Sequence, residues 1–140
     1  MENLVQCPVR TRQRDPCMNQ DTQLYRQIRK TNVANDGRVT SLAFRPMPKD
    51  KSMLSVYDGD KITPEGAFLH FTGDLRGDSV GILATIVAEC KAEALSVYED
   101  YDTHPYHVLI DFSGKSNNMC RRIAEHLRDA AVKRGWLVKK

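Results

Sequence analysis

The chain has 140 residues, 41% of them hydrophobic and 28% charged, with a formal net charge of +3. That length accommodates one domain with its own core, and that composition lies far from the low-hydrophobicity, high-charge corner in which chains stay disordered. The longest apolar run, Val80 to Ala88, is interrupted by Gly81 and Thr85 and falls well short of the roughly 18 residues a membrane-spanning helix needs.

The first residues, Met1 to Pro8, carry neither the basic region nor the apolar stretch of a secretory signal. The expected setting is therefore a soluble protein in the reducing cytoplasm, with Cys7, Cys17, Cys90 and Cys120 as free thiols. Charge is unevenly spread. Residues 1–38 hold seven Lys and Arg against four Asp and Glu, residues 39–115 seven against twelve, and residues 116–140 seven against two. Basic ends around an acidic middle suit an anionic partner for the ends, or attraction between the ends and the middle.

Residues 1–20 read as a basic irregular arm, because Pro8 and Pro16 exclude regular helix and Arg10, Arg12 and Arg14 alternate with polar residues. A single domain is expected over 21–140. Asp21 or Thr22 as N-cap, with Leu24, Tyr25 and Ile28 at helical spacing, predicts a short helix over 22–31. Asn35-Asp36-Gly37 is a turn, and Arg38 to Phe44 and Met53 to Tyr57 are β-prone segments expected to lie side by side. Thr63-Pro64-Glu65 opens a short helix that Gly73 closes. Ser79 to Cys90 reads as a central strand, followed by strands at Ala94 to Tyr98 and Tyr106 to Phe112.

The last element has the clearest pattern. Capped by Ser116 or Asn117, it sets Met119, Cys120, Ile123, Ala124, Leu127, Ala130 and Ala131 on one face against Arg121, Arg122, Glu125, Arg128, Asp129 and Lys133 on the other, and Gly135 ends it. The expected fold class is α+β: a mostly antiparallel sheet of about five strands, a long C-terminal helix packed on one face, and one or two short helices. Leu54-Ser55-Val56-Tyr57 recurs as Leu95-Ser96-Val97-Tyr98, but the segments that follow, one helical and one strand-like, argue against a duplication.

Carboxylates and imidazoles collect between Tyr98 and His107. Asp58, Asp102, His104, His107 and Asp111 form a candidate acid/base or divalent-metal cluster for a small hydrolase. No HExxH, calcium-loop or paired CxxC spacing accompanies them, and the nine residues between Cys7 and Cys17 do not suit a zinc site completed by His104 and His107. No cofactor motif is legible. Nucleophilic catalysis has no GxSxG signature, and Ser55, Ser96, Cys90 and Cys120 fall in segments that read as buried. Gly114-Lys115-Ser116 opens the last helix without the first glycine of a phosphate loop, so only the helix dipole speaks for an anion there.

The candidate interaction residues are Arg10, Arg12, Arg14, Arg26 and Arg29 with Lys30, together with Arg121, Arg122 and Arg128 with Lys133 and Arg134. Aromatic residues are not interleaved with them, against a single-strand stacking platform. Three readings result: a non-catalytic accessory domain binding another protein chain or a second copy of itself, a nucleic-acid-binding module using the basic ends, and a small metal-dependent hydrolase.

Overall fold

The computed structural model describes residues 18–140, apart from the side chain of Lys49. The expected arm thus lies outside the described residues except for its last three positions, where Met18 packs against the main core and Gln20 O accepts the Ala88 N–H at 2.9 Å. Six strands form one antiparallel sheet: β1 (Gln23–Ile28), β2 (Met53–Asp58), β3 (Gly81–Ile86), β4 (Ser96–Glu99), β5 (His107–Asp111) and β6 (Val138–Lys139). Their spatial order is β4-β5-β2-β1-β3-β6. Three helices complete the α+β fold: α1 (Pro64–Leu69), α2 (Val87–Ala92) and α3 (Asn117–Arg134). Among the described residues no helix is long and apolar enough to cross a membrane.

Leu24, Ile28, Leu54, Val56, Leu83, Val97, Val108 and Ile110 cover one sheet face and form the main core with Ile123, Leu127 and Ala131 of α3. The opposite face carries a smaller cluster in which Tyr25, Tyr57, Ile82 and Ala84 meet Ala67 and Phe68 of α1. α1 begins as its sequence requires, with Thr63 Oγ1 accepting the Gly66 N–H at 3.0 Å and Pro64 at the first helical position. It continues past Gly73 as a π turn over His70–Asp74.

Four sequence expectations are corrected. The helix expected over 22–31 is β1, which pairs with β3 over six residues. Leu24 and Ile28 are four apart, a spacing that keeps them on one face of a helix or of a strand, so it does not discriminate. The strand expected over 38–44 is one bridge, Val33 to Val39, followed by a 3-10 turn at Ser41–Phe44. Neighbouring Ala43 and Phe44 are both fully buried, which a strand with one core face does not allow. Ser79 to Cys90 divides into β3 and α2, as a short apolar run leaves open; the helix starts where the Glu89 carboxylate accepts from Ile86 N and Thr85 Oγ1 at 3.1 and 2.9 Å.

The fourth correction is the sixth strand. After Gly135, at φ +104°, the chain runs back along β3 as β6, with Leu137 N–H donating to Ile82 O at 2.9 Å. Trp136 and Leu137 thereby pack on the sheet's two sides, Trp136 on the main core and Leu137 on the smaller cluster. Gly81 permits this approach, because a Cβ there would meet Val138 O and the Trp136 ring.

Ser116 Oγ accepts the Met119 N–H at 3.2 Å and so caps α3. Leu127 is 1% exposed and Met119 48%. Leu127→Ala is expected to cost about 2–5 kcal/mol in reversible urea unfolding, as for other buried leucines, whereas Met119→Ala shifts stability by under about 0.5 kcal/mol, as for exposed positions.

Candidate functional site

The two central strands separate. β1 pairs with β2 only at Leu24↔Asp58 and Tyr25↔Tyr57, whereas β1 stays paired with β3 to its end and β2 with β5 over five positions. Beyond Tyr25 and Tyr57 the gap is spanned by a side chain: the Arg26 guanidinium donates from Nη1 to Ser55 O at 2.9 Å and from Nε to Ala43 O at 2.7 Å. Burial, with Arg29 nearby, lowers the Arg26 pKa to about 10, so it remains a cation at neutral pH.

The gap opens into a cleft of about 330 Å³. One wall carries Arg26, Gln27, Arg29, Thr31 and Asn32, the other Ser55, Thr103, His104 and His107, and Val56, Tyr57 and Phe71 supply apolar surface between them. Gln27 Nε2 donates to Ala67 O at 3.2 Å, while its buried Oε1 has no partner. Among the described residues six large apolar side chains are exposed, and three of these, Leu42, Met47 and Leu75, rim this one cleft.

The register of β2 and β5 brings chemistry to that cleft. Ser55 faces Leu109 and Tyr57 faces His107, so Ser55 and His107 are diagonal neighbours on one sheet face. His107 Nε2 lies 3.0 Å from Ser55 Oγ, and His107 Nδ1 lies 3.0 Å from Asp100 Oδ2. Asp100 follows β4 and is held by its own N–H to His107 O at 2.8 Å. Its Oδ2 also accepts from Thr103 Oγ1 at 2.7 Å. An ionised carboxylate only accepts, so His107 Nδ1 is the donor, and in the neutral ring Nε2 is left to accept the Ser55 hydroxyl proton. The His107 and Asp100 side chains are 12% and 9% exposed, while Ser55 is open to the cleft.

Around this chain the rings are packed. His104 lies 5.0 Å from His107, 4.8 Å from His70 and 5.0 Å from Tyr57, centroid to centroid, and Tyr57 Oη meets His70 Nδ1 at 2.7 Å. His104 Nδ1 accepts the Tyr106 N–H at 3.1 Å. Burial first, then His107 and His70, lowers the His104 pKa to about 4, and it is neutral at pH 7. Burial likewise raises the Tyr57 phenol above its ordinary value, with Asp74 adding to it.

The five residues expected to form an acid/base or metal cluster do not converge. His104 and His107 line the cleft; Asp102 is exposed in the turn before them. Asp58 is buried, accepting from Tyr101 Oη at 2.6 Å, and Asp111 accepts from Ser113 N at the other end of β5. Four residues of strand separate His107 from Asp111 by roughly 13 Å. Among the described residues no group of three or more His, Cys, Asp or Glu could hold a metal ion. Ser55, expected to be buried, is the exposed member of the hydrogen-bonded chain, whereas Cys90 is fully buried as expected. No local motif marks Ser55, Asp100 and His107, because their proximity arises from strand register.

The basic candidates also divide. Arg10, Arg12, Arg14, Cys7 and Cys17 lie outside the described residues. Arg26 and Arg29 line the cleft. Arg121, Arg122 and Lys133 are exposed on α3, Arg128 bonds to Asp129 Oδ1 at 2.8 Å, and Arg134 bridges Ala84 O and the Glu89 carboxylate, both at 2.6 Å. Comparison of the chain with protein-family models, curated proteins and solved structures returned no match.

Arg26→Met leaves Ser55 O and Ala43 O without their donor and is expected to cost about 2–4 kcal/mol of unfolding free energy in urea titration, the scale of lost charged hydrogen bonds. His104 gives a pH signature. Its pKa is near 6.5 when unfolded and about 4 when folded, so between these values the unfolded chain binds more protons. The contribution from His104 is complete above pH 6.5 and declines as pH falls toward 4. Urea midpoints measured across that window should fall, and His104→Gln should flatten the slope.

Proposed function

We propose that this chain is a small serine-type hydrolase acting on an acyl ester or amide held in the cleft between β1 and β2. The observation that carries the reading is the unbroken hydrogen-bonded sequence Asp100–His107–Ser55, with its serine end open to that cleft. Asp100 fixes the ring and tautomer of His107, and Nε2 takes the hydroxyl proton as Ser55 Oγ attacks the carbonyl carbon. The Arg26 guanidinium, bonded to the carbonyl of the same serine, supplies positive charge beside the developing oxyanion. His107 then returns the proton to the leaving group, and a water molecule activated by the same ring cleaves the acyl-serine ester. The reading draws on geometry and roles, since Ser55 sits within a strand and not on a strand-to-helix elbow.

The interaction role, one of the three readings of the sequence, is retained as a second reading. It is supported by the apolar rim of Leu42, Met47 and Leu75 and by the exposed Arg121 and Arg122 of α3. A partner chain seated on that rim would cover the cleft.

A fluorophosphonate reporter separates the two readings. The folded protein should be labelled once, at Ser55, by intact mass and peptide mapping; Ser55→Ala should not be labelled, and His107→Gln should react about 100-fold more slowly, the scale of a lost general base. Labelling no faster than that of the urea-unfolded chain would sink the hydrolase reading.

A further inference from the structure

Resting on the assignment of Ser55 as nucleophile, we infer that the ligand of this cleft carries an anionic group, a carboxylate or a phosphate, that docks on Arg29 while its apolar part lies against the rim. The wall opposite Ser55 is rich in donors. Arg26 spends two N–H groups on neutral carbonyls, with Asp50 acting on its charge only at a distance, and neither it nor Arg29 forms an ion pair with a carboxylate among the described residues. Asn32 turns its Oδ1 to the Arg29 N–H at 2.8 Å, so its Nδ2 donors remain, and Thr31 adds a hydroxyl.

Among the described residues the only carboxylate lining the cleft is the exposed Asp50. His104 and His107 add no carboxylate, and Asp100 behind them is occupied by His107 and Thr103. Two guanidinium groups against one carboxylate leave the cavity net positive, and a guanidinium fork matches the paired oxygens of a carboxylate or phosphate. Leu42, Met47 and Leu75 offer the complementary apolar surface at the mouth. An ester whose acyl chain ends in an anion presents both chemistries to this one cavity.

The test compares two esters of similar length, neutral p-nitrophenyl butyrate and anionic p-nitrophenyl hemisuccinate. Binding is measured calorimetrically on the Ser55→Ala protein and turnover on the unaltered chain. The hemisuccinate should bind about three- to five-fold more tightly, the scale of one exposed ion pair. Arg29→Gln should abolish that preference, whereas Lys30→Gln, an exposed neighbour that does not line the cleft, should leave it intact. Inhibition by inorganic phosphate but not acetate would assign the anion as phosphate, and the reverse as carboxylate.

Equal binding of the two esters, or a preference that survives Arg29→Gln, would overturn the inference. Turnover of both esters at equal efficiency overturns it too while leaving the hydrolase reading in place. Selective binding without turnover does the opposite: the anion site stands and the assignment of Ser55 falls.

Discussion

Everything at the cleft depends on one half-buried cation in the middle of the sheet. Arg26 lies between the fully buried Leu24 and Ile28 on β1, just where β1 parts from β2. A closed pair would satisfy its carbonyls along the ladder. Here the guanidinium does so instead, donating to Ser55 O and Ala43 O. A buried carbonyl without a donor is costly, so the separation persists because a side chain replaces the missing backbone partner. Arginine suits this role, with five donors in a rigid fork and a charge that survives burial.

The separation exposes Ser55 without loosening it. β2 leaves β1 but remains paired with β5 over its whole length, and β5 is paired in turn with β4. Ser55, His107 and Asp100 therefore sit on three successive strands or strand ends, held by backbone hydrogen bonds rather than by flexible loops. Strand register sets the Ser55–His107 distance, and the Asp100 N–H bond to His107 O sets the next one. A hydrogen-bonded relay needs such tolerances, because displacement of about an ångström is enough to undo it.

The surrounding rings complete the electrostatics. His104, lying between His70 and His107, is kept neutral by burial and by the two imidazoles beside it. The positive charge of the cleft thus comes from Arg26 and Arg29 on the opposite wall, and His104 adds none to the wall that bears the serine. Guanidinium groups and the Ser55 hydroxyl line one small volume.

Local chemistry made part of this fold legible from the sequence alone. The 18-residue amphipathic stripe of α3, its Ser116 cap and Gly135 stop, the Thr63-Pro64 start of α1 and the β-branched runs of β2, β4 and β5 depend on neighbours within a few residues, and sequence patterns carry that information. The two Leu-Ser-Val-Tyr segments became β2 and β4 on either side of β5, followed by the helix α1 in one case and the strand β5 in the other, as their differing sequels implied. β1 was not legible, because a four-residue apolar spacing fits helix and strand alike until the pairing partner β3, far along the chain, is in place. The two-residue strand β6 had no pattern of its own. The triad-like chain was beyond sequence reading for the same reason: Ser55 lies 52 positions from His107 and meets it only through register. Residue types and local periodicity marked α3, the start of α1 and the strands β2, β4 and β5, whereas only the tertiary structure decided the pairing of β1 and β6, the gap that Arg26 spans and which side chains that gap brings together, since those contacts join positions that nothing along the sequence connects.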